Sequence, residues 1–169
     1  MYHSASFWIE HLNLSKHIEG GYFTEVYKSA AELQPAQLPE HFHATSARHL
    51  CTHIYFLLER EQFSAFHRIK SDELWHFYDG DPIIIYEIEI SGKLTRHMLG
   101  NDPLKEQKLF TVVKAGSWFG AALDEESEFA LVGCTVSPGF DYADFEMASR
   151  HELRYEFPQH SELVDKLTS

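Results

Sequence analysis

The sequence predicts an all-β fold, an antiparallel sandwich or barrel with short helices at its two ends. Three observations predict it. From Arg48 onward, short apolar runs recur at regular spacing, each closed by a Gly, Pro or Asp turn. Helical spacing of apolar residues appears only near the termini. No repeat, low-complexity stretch or linker divides the 169 residues, so one domain is expected over 1–169.

Each element has its own signal. Residues 6–14 place Phe7, Trp8 and Leu12 on one helical face, with Ser4 or Ser6 as N-cap. Gly20-Gly21 then breaks the chain, and residues 22–29 alternate as a strand. Residues 30–47, with Pro35 and Pro39, form the one long connection; their His41-x-His43 pair has no carboxylate or cysteine beside it and reads as solvated. Residues 50–58 are almost continuously apolar, as in a strand covered on both faces. Strands 63–69 and 73–78 are joined by the turn Lys70-Ser71-Asp72 and are expected to pair as antiparallel neighbours. Asp79-Gly80-Asp81-Pro82 turns into strand 83–90, and Ser91-Gly92 makes a hairpin into 93–99. Strands 109–113, 118–123 and 129–136 close the series. A last helix is expected over 141–150, with Asp141 as its cap and Asp144 read the same way.

Composition narrows the function classes. Hydrophobic residues at 44% and aromatics at 14% exclude disorder over the whole chain. A net charge of −12, with no patch of Lys and Arg, disfavours nucleic acid and anionic membranes as partners. Cys51 and Cys134 each sit in an apolar run, and no CxxC pair is present, so both read as buried hydrophobes in a reducing compartment. The first residues lack a basic segment followed by an apolar core, and no run reaches transmembrane length, so a cytoplasmic location is expected.

The chemistry concentrates in residues 63–80. On strand 63–69, His67 shares a face with Phe63, Ala65 and Ile69; on strand 73–78, Glu73 shares a face with Trp75 and Phe77. His67 and Glu73 are thus placed to meet in an apolar hollow. There burial raises the carboxyl pKa and lowers the imidazole pKa, while each charged form favours the other. Such a pair serves as base and orienter, as two metal ligands, or as an interior hydrogen bond that only stiffens the barrel. His76 lies on the opposite face with Leu74 and Tyr78, and joins the other two only through a bulge. Tyr55, Trp75, Trp118 and Phe119 are candidates to stack on a ligand, against the commoner core role of strand aromatics. Arg48 and Arg68 are candidates to hold a phosphate or carboxylate, against exposed edge positions. Glu25 is a candidate for the pocket or for a strand exchanged between subunits.

HRIKSDELWHFYDG resembles the first cupin motif, with His67, Glu73 and Gly80 at the first histidine, the glutamate and the glycine, and Ile69 in place of the second histidine. Lys114-Ala115-Gly116-Ser117-Trp118-Phe119 is similar to the second motif, with Phe119 in place of its histidine. Two of the four usual metal ligands are therefore apolar and cannot coordinate a cation. EGGYFTEVYKS, HIYFLL, SAFHRIKSDELWHFYDGDP, VVKAGSWFGA and GCTVSPGFDYADFEMASR together resemble the fifth cupin family, a domain of unknown function. The resemblance implies a double-stranded β-helix, the cupin jelly roll. Residues 1–20 would form a helix and lead-in, 21–137 the barrel, and 138–169 a C-terminal helical segment. It also implies a homodimer.

The family is similar to the metal-independent dTDP-sugar epimerases of rhamnose biosynthesis, which use a pocket histidine as base, and to seed storage globulins, which catalyse nothing. The function expected is an epimerase or isomerase acting on a small polar metabolite, a sugar or nucleotide-sugar, without a cofactor. His67 would be its base and Glu73 the partner, with Tyr55, Arg68, Trp75, His76, Trp118 and Phe119 around the ligand. The alternatives are a non-catalytic small-molecule-binding barrel, and a metal-dependent enzyme holding a divalent ion on His67, Glu73 and His76.

Overall fold

The computed structural model describes residues 3–168. Helix α1 (Ala5–His11) is capped by Ser4, whose Oγ accepts the Phe7 N–H. Strand β1 (Ser15–Lys16) turns at Gly20-Gly21 into β2 (Tyr22–Lys28). The long connection is held at its ends by β3 (Glu32–Leu33) pairing with β4 (Arg48–His49), and in its middle by the buried ring of Phe42. Next come β5 (Thr52–Glu59), β6 (Phe63–Ile69), β7 (Asp72–Gly80) and β8 (Ile83–Ile88). They are followed by β9 (Leu94–Leu99), β10 (Phe110–Val113), β11 (Trp118–Leu123) and β12 (Phe129–Ser137). The chain ends in β13 (Phe145–Met147), α2 (Arg150–Glu156) and α3 (Ser161–Lys166).

Two sheets face each other, ordered β1-β2-β5-β12-β7-β10 and β13-β6-β11-β8-β9. From β5 onward the chain passes back and forth between them, as a double-stranded β-helix does. The inward side chains of both sheets form one core that includes Phe56, Leu58, Ile69, Trp75, Phe77, Ile83, Ile85, Phe119 and Val132. Each large side chain enclosed this way stabilises the fold by roughly 1.5–3 kcal/mol relative to an exposed one. Outside the five-stranded sheet, α2 and α3 cover Phe66, Tyr86, Ile88 and Trp118 with Leu153, Phe157, Val164 and Leu167. Outside the six-stranded sheet, α1 sets Trp8, Ile9 and Leu12 on Leu57, Phe129 and Leu131, and Trp8 Nε1 donates to Asp79 at 2.8 Å. No helix among the described residues is long and apolar enough to cross a membrane.

Three expectations are corrected here. Strands β6 and β7 are not neighbours: β6 pairs with β11 and β13, whereas β7 pairs with β10 and β12. Lys70-Ser71 is a corner between sheets, because the apolar faces of β6 and β7 bury against each other across the sandwich. The helix expected over 141–150 is also absent. Asp141 caps only a 3-10 turn, Tyr142–Asp144, after which β13 docks on the free edge of β6 with Met147 opposite His67. Edge pairing overrides a weak helical pattern there, and helix begins only at Arg150, behind a Ser149 cap. The strand 50–58, expected to be covered on both faces, is covered outside by α1 at Leu57 but leaves His53 and Tyr55 only half-buried.

Candidate functional site

A cavity of about 300 Å³ opens between the two sheets, with His67 and Glu73 both in its wall. His67 is inward on β6 and 3% exposed; Glu73 is inward on β7 and 8% exposed. They converge as expected, but from opposed sheets and not as neighbours in one.

The partner that touches His67 is a different carboxylate. Glu19 Oε2 lies 3.1 Å from His67 Nε2. The other ring nitrogen, Nδ1, lies 2.7 Å from the Ala65 carbonyl, which can only accept, so Nδ1 carries the proton. Nε2 of the neutral ring is then an acceptor turned to Glu19. Ser64 Oγ donates to the other Glu19 oxygen at 3.1 Å. Burial pushes the Glu19 carboxyl up to about 7, partly offset by His17 and by the Ser64 hydrogen bond. Burial lowers the His67 pKa, partly offset by Glu73 and the Ala65 bond. A protonated Glu19 donating to a neutral imidazole satisfies both groups.

Local backbone geometry brings these groups together. Opposite β11, His67 pairs with Phe119 but Ser64 pairs with Ala121, so β6 carries one extra residue between them. This bulge places Ser64 and His67, which strand parity puts on opposite faces, against the same carboxylate. It also sends Phe63 outward to join Phe66 in the helix-covered cluster, contrary to the parity expected from the sequence. Glu19 is delivered by the β1–β2 turn, where its carbonyl accepts the Ala65 N–H at 2.8 Å. That approach requires glycine next door: Gly20 has φ +112°, and a Cβ there would sit 2.1 Å from the Phe63 carbonyl oxygen.

Glu73 has a different environment. The Cys134 thiol on β12, a weak donor, stands beside it and favours its charged form. Burial raises its carboxyl to about 7; His67 pulls the value down and Glu19 pushes it up. His17 completes the polar wall. Its Nδ1 accepts the Glu19 N–H at 3.3 Å, and burial lowers its pKa.

The structure scatters the other residues that the sequence singled out. Tyr55 and His76 are on the outer face of the six-stranded sheet, Tyr55 beside Tyr78 and His76 bonded to Thr135. Trp75 is sealed in the core against Phe56. Trp118 lies under the C-terminal helices with the Arg68 guanidinium 4.4 Å above its ring, and Arg68 pairs with Glu146. Phe119 is buried in the core with its ring 4.1 Å from that of His67, backing the imidazole. Arg48 is neither exposed nor free: it is 3% exposed and binds Asp144 through two nitrogens, at 2.5 and 3.1 Å. Asp144 is therefore an ion-pair partner and not a helix cap. Glu25 does line the cavity. Glu19, His17 and the aromatic wall of Phe140, Tyr142 and Phe145 were not foreseen. A histidine and a glutamate on the tip of a Gly-Gly turn, HIEGG, were the one signal for the first two.

The residues present do not fit the usual cupin metal. Ile69 and Phe119 occupy two ligand positions, and His76 is on the far side of the sheet from His67 and Glu73. Among the described residues no three His, Cys, Asp or Glu are grouped to hold a metal ion.

Comparison with known proteins agrees with this architecture. A crystal structure of a protein from Shewanella oneidensis is 37% identical, covers 99% of this chain and 98% of its own, and has a TM-score of 0.88. A hypothetical protein from Leishmania major is 33% identical, covering 98% of this chain and 99% of its own, also at a TM-score of 0.88. A cupin 2 domain-containing protein from Halorhodospira halophila is 10% identical over 92% of this chain and 87% of its own, and its TM-score of 0.56 shows a shared fold. No curated protein matches the sequence. Residues 6–148 match the family described as Cupin superfamily (DUF985). The chain belongs to that family of cupins.

Proposed function

We propose that this cupin moves protons on a small polar metabolite, as an epimerase or isomerase does, without a resident metal. The observation that supports this is the arrangement of acid–base groups. The Glu19–His67 pair and Glu73 come from different elements on opposed walls of one cavity, and both carboxyls are raised to about 7. Groups that gain and lose protons near neutrality are suited to general acid–base work, each contributing roughly 10²–10⁴-fold.

Ionised Glu73 takes a proton from a carbon beside a carbonyl, breaking the C–H bond and leaving its electron pair in an enediol. The Glu19–His67 pair gives its shared proton to the carbonyl oxygen. Glu73 returning its proton to the neighbouring carbon, while the enediol hydroxyl gives one back to Glu19, completes an isomerisation. His67 thus works through Glu19 and not, as the sequence suggested, with Glu73 as its partner. Among the described residues no Lys or Arg lines the cavity, so a nucleotide diphosphate finds no cation to pair with and an unphosphorylated substrate fits better.

The test is solvent deuterium incorporation into aldoses, ketoses, amino sugars and nucleotide-sugars, followed by NMR in D₂O. Exchange into an unphosphorylated compound is expected, falling at least 10²-fold in Glu73→Gln and His67→Ala. A protein that binds members of the panel and exchanges none is a binding barrel, and the enzymatic reading fails.

A further inference from the structure

We infer that the cavity selects a small organic cation, a metabolite carrying an ammonium group. This deepens the reading of the same site as a proton-transfer centre, but binding tests it separately from turnover.

Among the described residues three carboxyl groups line the cavity, those of Glu19, Glu25 and Glu73, and no Lys or Arg does. Its two imidazoles, His17 and His67, add no positive charge, since burial holds both towards the neutral form. Glu73 is the underpartnered member. Among the described residues no N–H or O–H donates to it, and only the weakly donating Cys134 thiol stands beside it. A carboxyl 8% exposed with open lone pairs facing a cavity has room for a strong donor on one oxygen while the other stays free as the base, and an ammonium group is the donor that matches its charge.

The opposite wall is aromatic. Phe140 and Tyr142 have centroids 5.1 Å apart at 81°, Phe140 and Phe145 5.9 Å at 68°, and Tyr142 and Phe145 6.1 Å at 75°. Rings at such mutual angles present π-faces in several directions, and those faces attract cations and repel anions. Tyr142 is 60% exposed and Glu25 is exposed, so a π-face and a carboxylate meet an incoming ligand at the rim, before Glu73 within. The chain's net charge of −12 draws cations towards that rim. An anion would meet only carboxylates and ring faces; a neutral ligand would leave Glu73 without its partner.

The experiment is calorimetric binding at pH 7 to matched pairs: glucosamine and glucose, choline and 3,3-dimethylbutan-1-ol, putrescine and butane-1,4-diol. At least one ammonium compound is expected to bind about tenfold tighter than its neutral match. That preference is expected to shrink in Glu73→Gln or in the exposed rim variant Tyr142→Leu. The inference is overturned if no ammonium compound outbinds its match, or if the preference survives intact in both variants. Ammonium preference without deuterium exchange in any compound would leave this inference standing and remove the enzymatic one.

Discussion

Replacing Glu19 by Gln tests the chemistry of the dyad through folding alone, with no substrate required. Glutamine copies the protonated carboxyl in shape and can donate to His67 Nε2, but it cannot ionise. The Glu19 carboxyl is raised from an ordinary 4.5 to about 7. At about 1.4 kcal/mol per tenfold change, that rise corresponds to about 3 kcal/mol. Because the folded pKa is raised, this stabilisation is fully present below pH 4.5 and is lost as pH climbs through about 7. Across that window the unfolded chain releases its proton while the folded chain must hold one or leave a charge in a dry site. Two other effects overlap with it. Glu73 is raised to a similar value, in part by Glu19, so their effects do not add. His17 and His67 have lowered values and act oppositely, their stabilisation being present above 6.5 and lost as pH falls. The difference between variant and parent at each pH reports Glu19 together with the part of the Glu73 shift that Glu19 causes. Urea unfolding at pH 5, 6, 7 and 8 is the assay. The stability of Glu19→Gln relative to the parent is expected to grow by about 2.5 kcal/mol from pH 5 to pH 8. A difference constant to within about 0.5 kcal/mol would mean that Glu19 is ionised and paired with an imidazolium throughout, and would refute the neutral dyad.

Further outcomes follow from other parts of the fold. Gly20→Ala puts a Cβ against the Phe63 carbonyl at a φ that disfavours side chains, and is expected to cost more than about 2 kcal/mol in urea unfolding. Arg48→Met leaves Asp144 buried without its bidentate partner and is expected to cost about 3–5 kcal/mol, and adding Asp144→Leu should recover at least half of that. Ile69 lines the cavity and Phe119 packs on His67, so Ile69→His with Phe119→His is expected to bind one manganese or nickel ion together with His67 and Glu73. Metal titration of that double variant checks it; failure to bind would show that the four positions do not converge as those of a metal-holding cupin do.

Much of the site was legible and the route to it was not. Alternation along β6 and β7 turned His67 and Glu73 inward and His76 outward, because side-chain direction on a strand is a local property. The pairing inferred for those strands failed because a short turn serves a hairpin and an inter-sheet corner equally well. Glu19 escaped notice because a glutamate in a surface-type turn carries no periodic signal. Trp75, Trp118 and Tyr55 were drawn towards the ligand by residue type alone, yet one fills the core, one supports a helix and one faces outward.

From the sequence alone came strands β2 and β5 to β12, their spans to within two residues, and the apolar faces that must be covered, and its resemblance to the cupin motifs implied the loss of two metal-ligand positions. The strands and their faces depend on backbone stereochemistry and hydrophobicity within a few residues of chain. Tertiary structure alone decided which sheet each strand joined, that a bulge turned Ser64 towards His67, and that a glycine turn carried Glu19 to the imidazole. Those outcomes depend on contacts between segments far apart in the chain, where burial of the whole surface, and not the preference of any segment, selects the arrangement.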